Sequence, residues 1–292
     1  MSPPYREWAV STALREGRRF GYADTPLGQL HYAEQGAGPP ILLLHQTPRS
    51  NDEFAELMPE LATAHRAIAM DMVGFGASAK IPAPQSIEQF AAGAIALLDA
   101  LNIERASVLG HHTGGVVAVE VAATIPGRVD GLILSSTSWT DQEYRSQHAA
   151  GDGVDVVESK AGGEHLAELW ALRQPFYPDA RPDLLRRFVH DALAPAVDPG
   201  EGHLACARYA MEDRIRLVTA PTLLIGADED PFAFPHLMVL ARALSSASVV
   251  ETVVVAGGMI PLMECHAPAV AAAVVPFLES ARLGHRFDST SS

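Results

Sequence analysis

A glycine-framed histidine at the end of an apolar run constrains the fold of this chain more than any other feature. Residues 108–115 read Val-Leu-Gly-His-His-Thr-Gly-Gly and lead into a helix-like stretch. The spacing Gly-x-His-x-Gly is typical of a sharp strand-to-helix turn that presents its central side chain at the end of a buried strand. The central residue is His112, so the sequence predicts an imidazole at the carboxyl edge of a sheet.

Strands and helices alternate on both sides of this turn. Short apolar runs bounded by turn residues are typical of buried strands, and they occupy residues 40–45, 67–72, 106–110, 132–134, 222–225 and 249–255. Apolar residues at helical spacing predict helices over 50–64, 86–101, 113–125 and 268–281. A turn at 25–28 predicts a β-hairpin between 20–23 and 29–33. The alternation predicts an α/β fold with a mostly parallel central sheet and helices on both faces.

The alternation stops between residues 138 and 219, where helix-like segments rich in aromatic residues are repeatedly broken by proline. We therefore expect residues 1–137 and 220–282 to form a core α/β domain and residues 138–219 to be an inserted helical cap. The polar residues 283–292 are expected to be a flexible tail. The polar leader 1–16 contains one short predicted helix at 8–14.

The charge balance limits the possible partners. The 292 residues include 21 Lys and Arg against 35 Asp and Glu, for a formal net charge of −14, which argues against nucleic acid or an anionic membrane as partner. The leader lacks an apolar signal core, and the longest apolar stretch, 267–278, is too short to cross a bilayer. These features predict a cytoplasmic protein. Cys206 and Cys265 have no motif spacing and are expected to be buried free thiols.

Four loops that follow predicted strands should meet at one edge of the sheet. They contain residues 45–48, 110–114, 228–230 and 257–259, and residues 71–78 add the pattern Asp-x-x-Gly-x-Gly-x-Ser. In combination these motifs resemble the α/β-hydrolase superfamily from about residue 28 to residue 278, with the insertion where that family carries its cap. The resemblance implies that the turn around His112 is the family's nucleophile elbow, whose centre is usually Ser, Cys or Asp.

The resemblance also implies where an oxyanion would be stabilised. The family's His-Gly-x-Pro loop reads His45-Gln46-Thr47-Pro48 here, and the backbone N–H of Thr113 corresponds to the second donor. Gln46 replaces the glycine, so its side-chain amide either adds a donor, narrows the pocket or points to solvent. His45 either braces the loop or contacts substrate, and both roles are open.

The acid and the base of the family's relay map unequally onto this chain. The acid position after the seventh strand corresponds to Asp230, which precedes a proline, with Asp228 as the alternative. The base position corresponds to Met259, which cannot transfer protons. His111 occupies a spacer position at the elbow and is expected to pack beside it. A Ser-His-Asp relay needs a hydroxyl and an imidazole that these positions lack, so standard serine-hydrolase catalysis is not predicted.

The two departures from the family pattern are compatible with each other. An imidazole at position 112 extends toward the volume that the family's histidine fills, and unbranched Met259 leaves room for it. The working hypothesis is a pair between His112 and Asp230, or between His112 and Asp228. The carboxylate would fix the ring tautomer and make the imidazole a general base.

Such a base has three possible uses, and all of them stay open. It activates water against an ester, lactone or activated C–C bond, or it becomes a nucleophile through an acyl-imidazole. It otherwise deprotonates a substrate in a non-hydrolytic elimination, decarboxylation, isomerisation, cyclisation or cofactor-free oxygenation. A catalytically silent ligand-binding protein is the remaining alternative.

The aromatic insertion and the apolar sheet edge indicate a small, largely apolar organic substrate. No cofactor is expected, since no glycine-rich phosphate loop precedes a suitable helix. A metal site built from His45, His111 and His112 is not expected either. Adjacent elbow histidines diverge, and no carboxylate or cysteine spacing completes a ligand set.

Overall fold

A mixed sheet of eight strands forms the centre of the computed structural model, which describes residues 17–148 and 153–288. The strands are β1 (Arg19–Thr25), β2 (Gly28–Gln35), β3 (Pro40–Leu44), β4 (Arg66–Met70), β5 (Ala106–His111), β6 (Val129–Ser135), β7 (Thr222–Ala227) and β8 (Val250–Val255). Their order in the sheet is β1-β2-β4-β3-β5-β6-β7-β8. The β1–β2 and β2–β4 pairs are antiparallel, and all other pairs are parallel. The predicted mostly parallel sheet is confirmed, while the helix predicted at 8–14 lies outside the described residues.

Helices cover both faces of the sheet, as predicted. In the described residues they are α1 (Leu57–Leu61), α2 (Ile87–Ala100), α3 (Thr113–Thr124), α4 (Gln142–His148), α5 (Glu164–Arg173), α6 (Pro182–Ala192), α7 (Glu201–Arg208), α8 (Met211–Arg214), α9 (Leu237–Ala243), α10 (Leu262–Cys265) and α11 (Ala267–Asp288). Successive side chains of a strand point to opposite faces, so Leu42 and Leu44 of β3 pack with α2 and α3, whereas Ile41 and Leu43 pack with α1 and α11. None of the described helices has the length and hydropathy needed to span a bilayer.

Two helix boundaries differ from the sequence-based prediction. The helix predicted over 50–64 is a 3₁₀ turn at Asn51–Phe54 followed by the short helix α1. Pro59 explains the break, because it has no N–H to donate to the carbonyl of Ala55 and its ring would clash there. The last helix, α11, continues to Asp288, so the tail predicted at 283–292 begins inside a helix. Residues 289–292 lie outside the described residues.

Between β6 and β7, the described residues form helices α4 to α8, within the segment 138–219 that we call the insertion. The insertion has a small apolar cluster of its own, formed by Leu169, Tyr177, Leu184, Leu185, Phe188 and Ala192. This cluster is separate from the two that cover the sheet. The C-terminal part of the insertion instead joins the larger of those two clusters through Ala205, Cys206, Tyr209, Met211, Ile215 and Val218. The insertion therefore meets the sheet through apolar packing, through polar contacts and through the walls of a cavity.

Arg49, in the loop after β3, provides one of those polar contacts. Its guanidinium is fully buried, and Nε donates to Asp191 Oδ2 of α6 at 3.0 Å while Nη1 donates to Glu264 Oε1 of α10 at 2.6 Å. The Ser50 hydroxyl donates to the same Asp191 oxygen at 3.0 Å. One buried cation thus joins the loop after β3, the insertion and the segment after β8.

Glu53, in the 3₁₀ turn that follows Arg49, holds the same loop from another side. Its two carboxyl oxygens accept the backbone N–H of Gln46 at 2.8 Å and the Gln46 side-chain amide at 2.6 Å. Burial raises the pKa of Glu53 to about 8; Glu264 adds to the rise, although Arg49 and the hydrogen bonds from Gln46 oppose it. The protonated form of this carboxyl is therefore favoured more in the folded chain than in the unfolded one.

Replacing Arg49 with Met should destabilise the fold strongly. The change leaves the buried carboxylates of Asp191 and Glu264 without their cation, and breaking a buried ion pair in this way costs about 3–5 kcal/mol. The matched control is Arg105→Met, because Arg105 pairs with Asp130 on the surface and exposed pairs contribute about 1 kcal/mol or less. Urea unfolding of both variants measures the difference. Equal free energies of unfolding for the two variants would refute the structural role given to Arg49.

Glu53 should make the free energy of unfolding depend on pH. The unfolded carboxyl releases its proton near pH 4.5 and the folded one near pH 8, so the folded state binds the extra proton in between and stability falls as pH rises through that window. One such group contributes a slope of at most about 1.4 kcal/mol per pH unit. Urea unfolding across this window should show a flatter dependence of the free energy of unfolding on pH for Glu53→Gln. At the acid end the variant should also be less stable, because the new amide has one acceptor oxygen for the two N–H groups of Gln46. Parallel profiles for wild type and variant would contradict the prediction.

Candidate active site

The elbow between β5 and α3 places His112 in a left-handed backbone conformation, with φ 47° and ψ −116°. The turn depends on two close backbone approaches. A Cβ atom on Gly110 would lie 2.0 Å from the carbonyl oxygen of Gly114, and one on Gly114 would lie 2.0 Å from the carbonyl oxygen of Leu44. Only glycine fits at both positions, so α3 packs directly on β5 and β3 and projects the residue between them from the sheet edge.

His112 and Asp230 are in contact. His112 Nε2 lies 3.0 Å from Asp230 Oδ2, and the carboxylate is fully buried while the imidazole is 14% exposed. The ring N–H is not aligned well enough for a regular hydrogen bond, and neither of these two atoms has another partner among the described residues. The distance between the two atoms is that of a hydrogen bond, and only the angle falls short.

The loop after β7 keeps Asp230 ionised. Asp230 Oδ1 accepts the backbone N–H groups of Phe232 and Ala233 at 3.0 and 3.2 Å. Burial by itself raises the pKa of this carboxyl, but His112 and the two N–H groups outweigh burial and lower the pKa to about 2. A charged acceptor therefore stands behind the imidazole at neutral pH.

The alternative acid and the predicted base position lie elsewhere. Asp228 is exposed, and its Oδ1 accepts the backbone N–H of Gly257 at 2.7 Å, so this carboxylate ties the β7 loop to the β8 loop. Met259 is half-buried and does not line the cavity described below, whereas its neighbour Ile260 does. Of the two acids considered for the pair, the structure brings Asp230 to His112.

His111 packs beside the elbow with both ring nitrogens engaged. Nε2 lies 2.9 Å from the carbonyl oxygen of Ile260, which can only accept, so Nε2 carries the proton and Nδ1 accepts the Ser135 hydroxyl at 3.1 Å. Burial, with His112 as a further contributor, lowers the pKa of His111 to about 3. The ring meets His112 edge to face at a centroid distance of 4.6 Å. His111 is thus a neutral brace that holds the loop after β8 against the elbow.

The loop 45–48 is fixed by its own side chains. His45 is fully buried, with Nδ1 2.8 Å from the carbonyl oxygen of Gln46 and Nε2 accepting the backbone N–H of Met72 at 2.9 Å. Glu53 accepts the backbone N–H of Gln46 and one N–H of its side-chain amide, so the amide is held inside the protein and does not point to solvent. Of the roles left open by the sequence, His45 braces the loop and Gln46 lines the pocket wall.

The hydroxyls of Thr47 and Thr113 join this loop to the elbow at an oxygen–oxygen distance of 3.0 Å. Both threonines line a cavity of about 470 Å³ between the sheet edge and the insertion. The described part of its wall consists of Gln46, Thr47, His112, Thr113, Val116, Ser138, Tyr144, His148, Gly153, Val154, Val156, Arg173, Gly200, His203, Leu204, Cys206, Ala207, Phe232 and Ile260. Sequence patterns did not predict the wall residues of the insertion, because no local spacing indicates that they lie near the elbow.

Within residues 17–148 and 153–288, no group of three or more His, Cys, Asp or Glu side chains is arranged to hold a metal ion. Cys206 lies in the cavity wall, where burial raises the pKa of its thiol to about 12 in spite of a hydrogen bond with Thr113. Its thiol is therefore neutral, and both Cys206 and Cys265 are free cysteines.

Comparisons with known proteins agree with this architecture. The chain is 28% identical over 210 residues to a 2-hydroxymuconate semialdehyde hydrolase of Pseudomonas sp. (strain CF600), covering 68% of this chain and 72% of that one. It is 28% identical over 292 residues to a haloalkane dehalogenase of Mesorhizobium japonicum, covering 89% and 91%. The crystal structure of the enol-lactonase from Burkholderia xenovorans LB400 superposes with a TM-score of 0.73 at 23% identity, covering 89% of this chain and all of that one (100%).

A family model described as the alpha/beta hydrolase fold matches residues 39–264, which include the elbow, the loop 45–48 and the Asp230 loop. This match spans most of the chain and both parts of the sheet that flank the insertion. The strand order, the glycine-locked elbow and the buried acid after β7 are the structural counterparts of that match. The chain belongs to the α/β-hydrolase-fold family.

Proposed function

We propose that this protein is a hydrolase in which His112, oriented by Asp230, acts as a general base on water. The contact between His112 Nε2 and the buried Asp230 Oδ2 at 3.0 Å carries the proposal, together with the position of His112 in the wall of a cavity. The relatives support the reaction class, since their names include a hydrolase and an enol-lactonase. The bond broken is an ester, a lactone or an activated C–C bond.

The tautomer decides which ring nitrogen is the base. With Asp230 ionised, the proton of a neutral imidazole lies on Nε2, which faces the carboxylate. Nδ1 is then the unprotonated nitrogen, and it has no hydrogen-bond partner among the described residues. A water molecule in the cavity can transfer a proton to Nδ1 as it attacks a carbonyl carbon, and Asp230 stabilises the imidazolium that forms.

The oxygen that becomes negative needs donors that are free in the folded chain. Thr113 is the first residue of α3, and the first N–H groups of a helix have no intrahelical partner and lie at the positive end of its dipole. Thr47, in the loop after β3, lies beside Thr113, and the hydroxyls of the two threonines are hydrogen-bonded. The backbone N–H of Thr113 and the loop at Thr47 therefore form the proposed oxyanion site. The backbone N–H of Gln46 does not contribute to it, because Glu53 accepts that N–H.

The same base can abstract a proton from carbon, so a non-hydrolytic reaction is the second candidate. The observation that favours it is the elbow itself, which carries no hydroxyl, thiol or carboxylate nucleophile at position 112. An imidazole held by a carboxylate serves either reaction equally well. The source of the product's oxygen distinguishes the two.

Removal of either member of the pair should reduce turnover. We expect His112→Asn to lower kcat by about 10²- to 10⁴-fold, the usual contribution of a positioned general base. Asp230→Asn should lower kcat by about 10²-fold or more, because an amide offers the ring both a donor and an acceptor and no longer fixes its tautomer. The assay follows aryl esters and lactones that the wild type turns over.

The control for these variants is His190→Asn, since the His190 side chain is 81% exposed and does not line the cavity. Circular dichroism and thermal unfolding check that all three variants fold. A His112→Asn protein that folds and keeps wild-type kcat would rule out His112 as the base.

Hydrolysis in water enriched in oxygen-18 should place the label in the acyl product during a single turnover with enzyme in excess. The proposal requires this outcome because the attacking oxygen comes from solvent. If the wild type forms product that contains no oxygen-18, hydrolysis is excluded and the non-hydrolytic reaction of the same base is supported.

A further inference from the structure

The charges in the cavity wall differ in sign from the charge of the chain. The sequence has 35 acidic and 21 basic residues, yet none of the described wall residues is Asp or Glu. The one permanently charged side chain in that part of the wall is Arg173, and the histidines of the wall are His112, His148 and His203. The carboxylates that partner these groups, Asp230 and Asp155, lie behind the wall.

Arg173 and His203 share a single carboxylate in the insertion. Arg173, the last residue of α5, pairs through Nε and Nη2 with the two oxygens of Asp155. His203 of α7 places Nε2 at 3.1 Å from Asp155 Oδ2. Burial alone would raise the pKa of Asp155, but His203 and Arg173 hold it below its usual value. The carboxylate is therefore charged and fully occupied by its two partners.

The arrangement turns its positive side toward the cavity. Asp155 has no exposed surface, whereas the side chain of Arg173 is 11% exposed and that of His203 is 35% exposed. Arg173 Nη1 has no hydrogen-bond partner among the described residues, and it is not among the buried polar atoms that lack a partner. A guanidinium whose Nε and Nη2 are fixed by a carboxylate thus keeps a charged donor for a ligand in the cavity.

Packing connects this group to the proposed reaction centre. Gly202, which precedes His203, lies so close to Thr47 that a Cβ atom would come within 2.2 Å of its Cγ2. Thr47 in turn bonds Thr113, the neighbour of His112. Arg173 and His203 therefore belong to the wall that faces the elbow, and one ligand in a cavity of about 470 Å³ reaches both.

We propose that Arg173 and His203 form a subsite for an anionic group, and that the substrate is an organic acid with an apolar body and a carboxylate at the end held by the insertion. This inference rests on the proposed function, whose substrate class it narrows. A purely structural role would explain the contacts with Asp155, which adopts a left-handed φ of 64°. It would not explain why both partners of Asp155, and no acidic residue, stand in the described wall of the cavity.

A comparison of matched ligands on the wild-type protein tests the subsite without any mutation. The probes are 3-phenylpropanoate and 3-phenylpropanamide, which share the apolar body and differ in charge. Isothermal titration calorimetry should show the carboxylate binding about tenfold more tightly or better, as expected for hydrogen bonds to a charged group. Equal affinities, or no measurable binding of the carboxylate, would overturn the proposal.

Two variants assign the preference to the subsite. Arg173→Gln should abolish the preference for the carboxylate, and His203→Asn, which leaves the Arg173–Asp155 pair in place, should reduce it about threefold or more. Arg186→Gln is the matched control, because Arg186 is an exposed arginine of α6 that does not line the cavity. A preference that survives in both wall variants would overturn the proposal. If circular dichroism shows that Arg173→Gln is misfolded, the ligand comparison and His203→Asn decide.

The same assay separates this inference from the proposed base. Binding of the probes requires no turnover, so His112→Asn should keep the preference for the carboxylate. If His203→Asn reduces the preference and His112→Asn does not, the subsite is supported, whatever the role of His112. If turnover depends on His112 but the wild type shows no preference for the carboxylate, the subsite is rejected and the proposed base stands.

Discussion

The close approach of α3 to β3 and β5 is the constraint on which the site depends. Gly110 and Gly114 bring backbone against backbone at distances that exclude any side chain, and this packing holds His112 at a positive φ. A non-glycine residue in such a conformation costs about 1–3 kcal/mol and persists where the surroundings fix it. The turn is therefore maintained by its neighbours and tolerates an imidazole at the position where the family usually carries a nucleophile.

The two adjacent histidines of the elbow have opposite environments because the strand ends between them. His111 is the last residue of β5, so its ring lies among β6 and the loop after β8 and uses both nitrogens for fixed partners. His112 is on the turn itself, where one nitrogen faces Asp230 and the ring borders the cavity. Burial thus disfavours a charge on His111, whereas the ring of His112 has a carboxylate beside it. The loop after β8, where the family carries its histidine, contacts the elbow here through the backbone carbonyl of Ile260, which accepts from His111.

Local patterns in the sequence predicted most of the fold and located the elbow at the centre of the candidate site. Apolar periodicity located the strands and helices, and the glycine spacing located the elbow, since both signals lie within a few residues. The break at Pro59 was missed because the apolar spacing continues across it. The partners of Arg49 lie 142 and 215 positions away, and those of Asp155 lie 18 and 48 away on other elements. Contacts between such distant charged residues leave no periodic signal, so the polar wall of the cavity became visible only in the fold.

The buried charges connect the walls of the cavity to one another. Arg49 joins the loop 45–48 region to α6 and α10, and Glu53 fixes the backbone of Gln46 one residue before Thr47. Thr47 then packs on Gly202, next to His203. The insertion and the loop that borders the proposed oxyanion site are therefore positioned by the same contacts. A displacement of the insertion would move Asp155, Arg173 and His203 and would strain the loop at Thr47 as well, because the interior charges that hold both cannot be left unpaired at low cost.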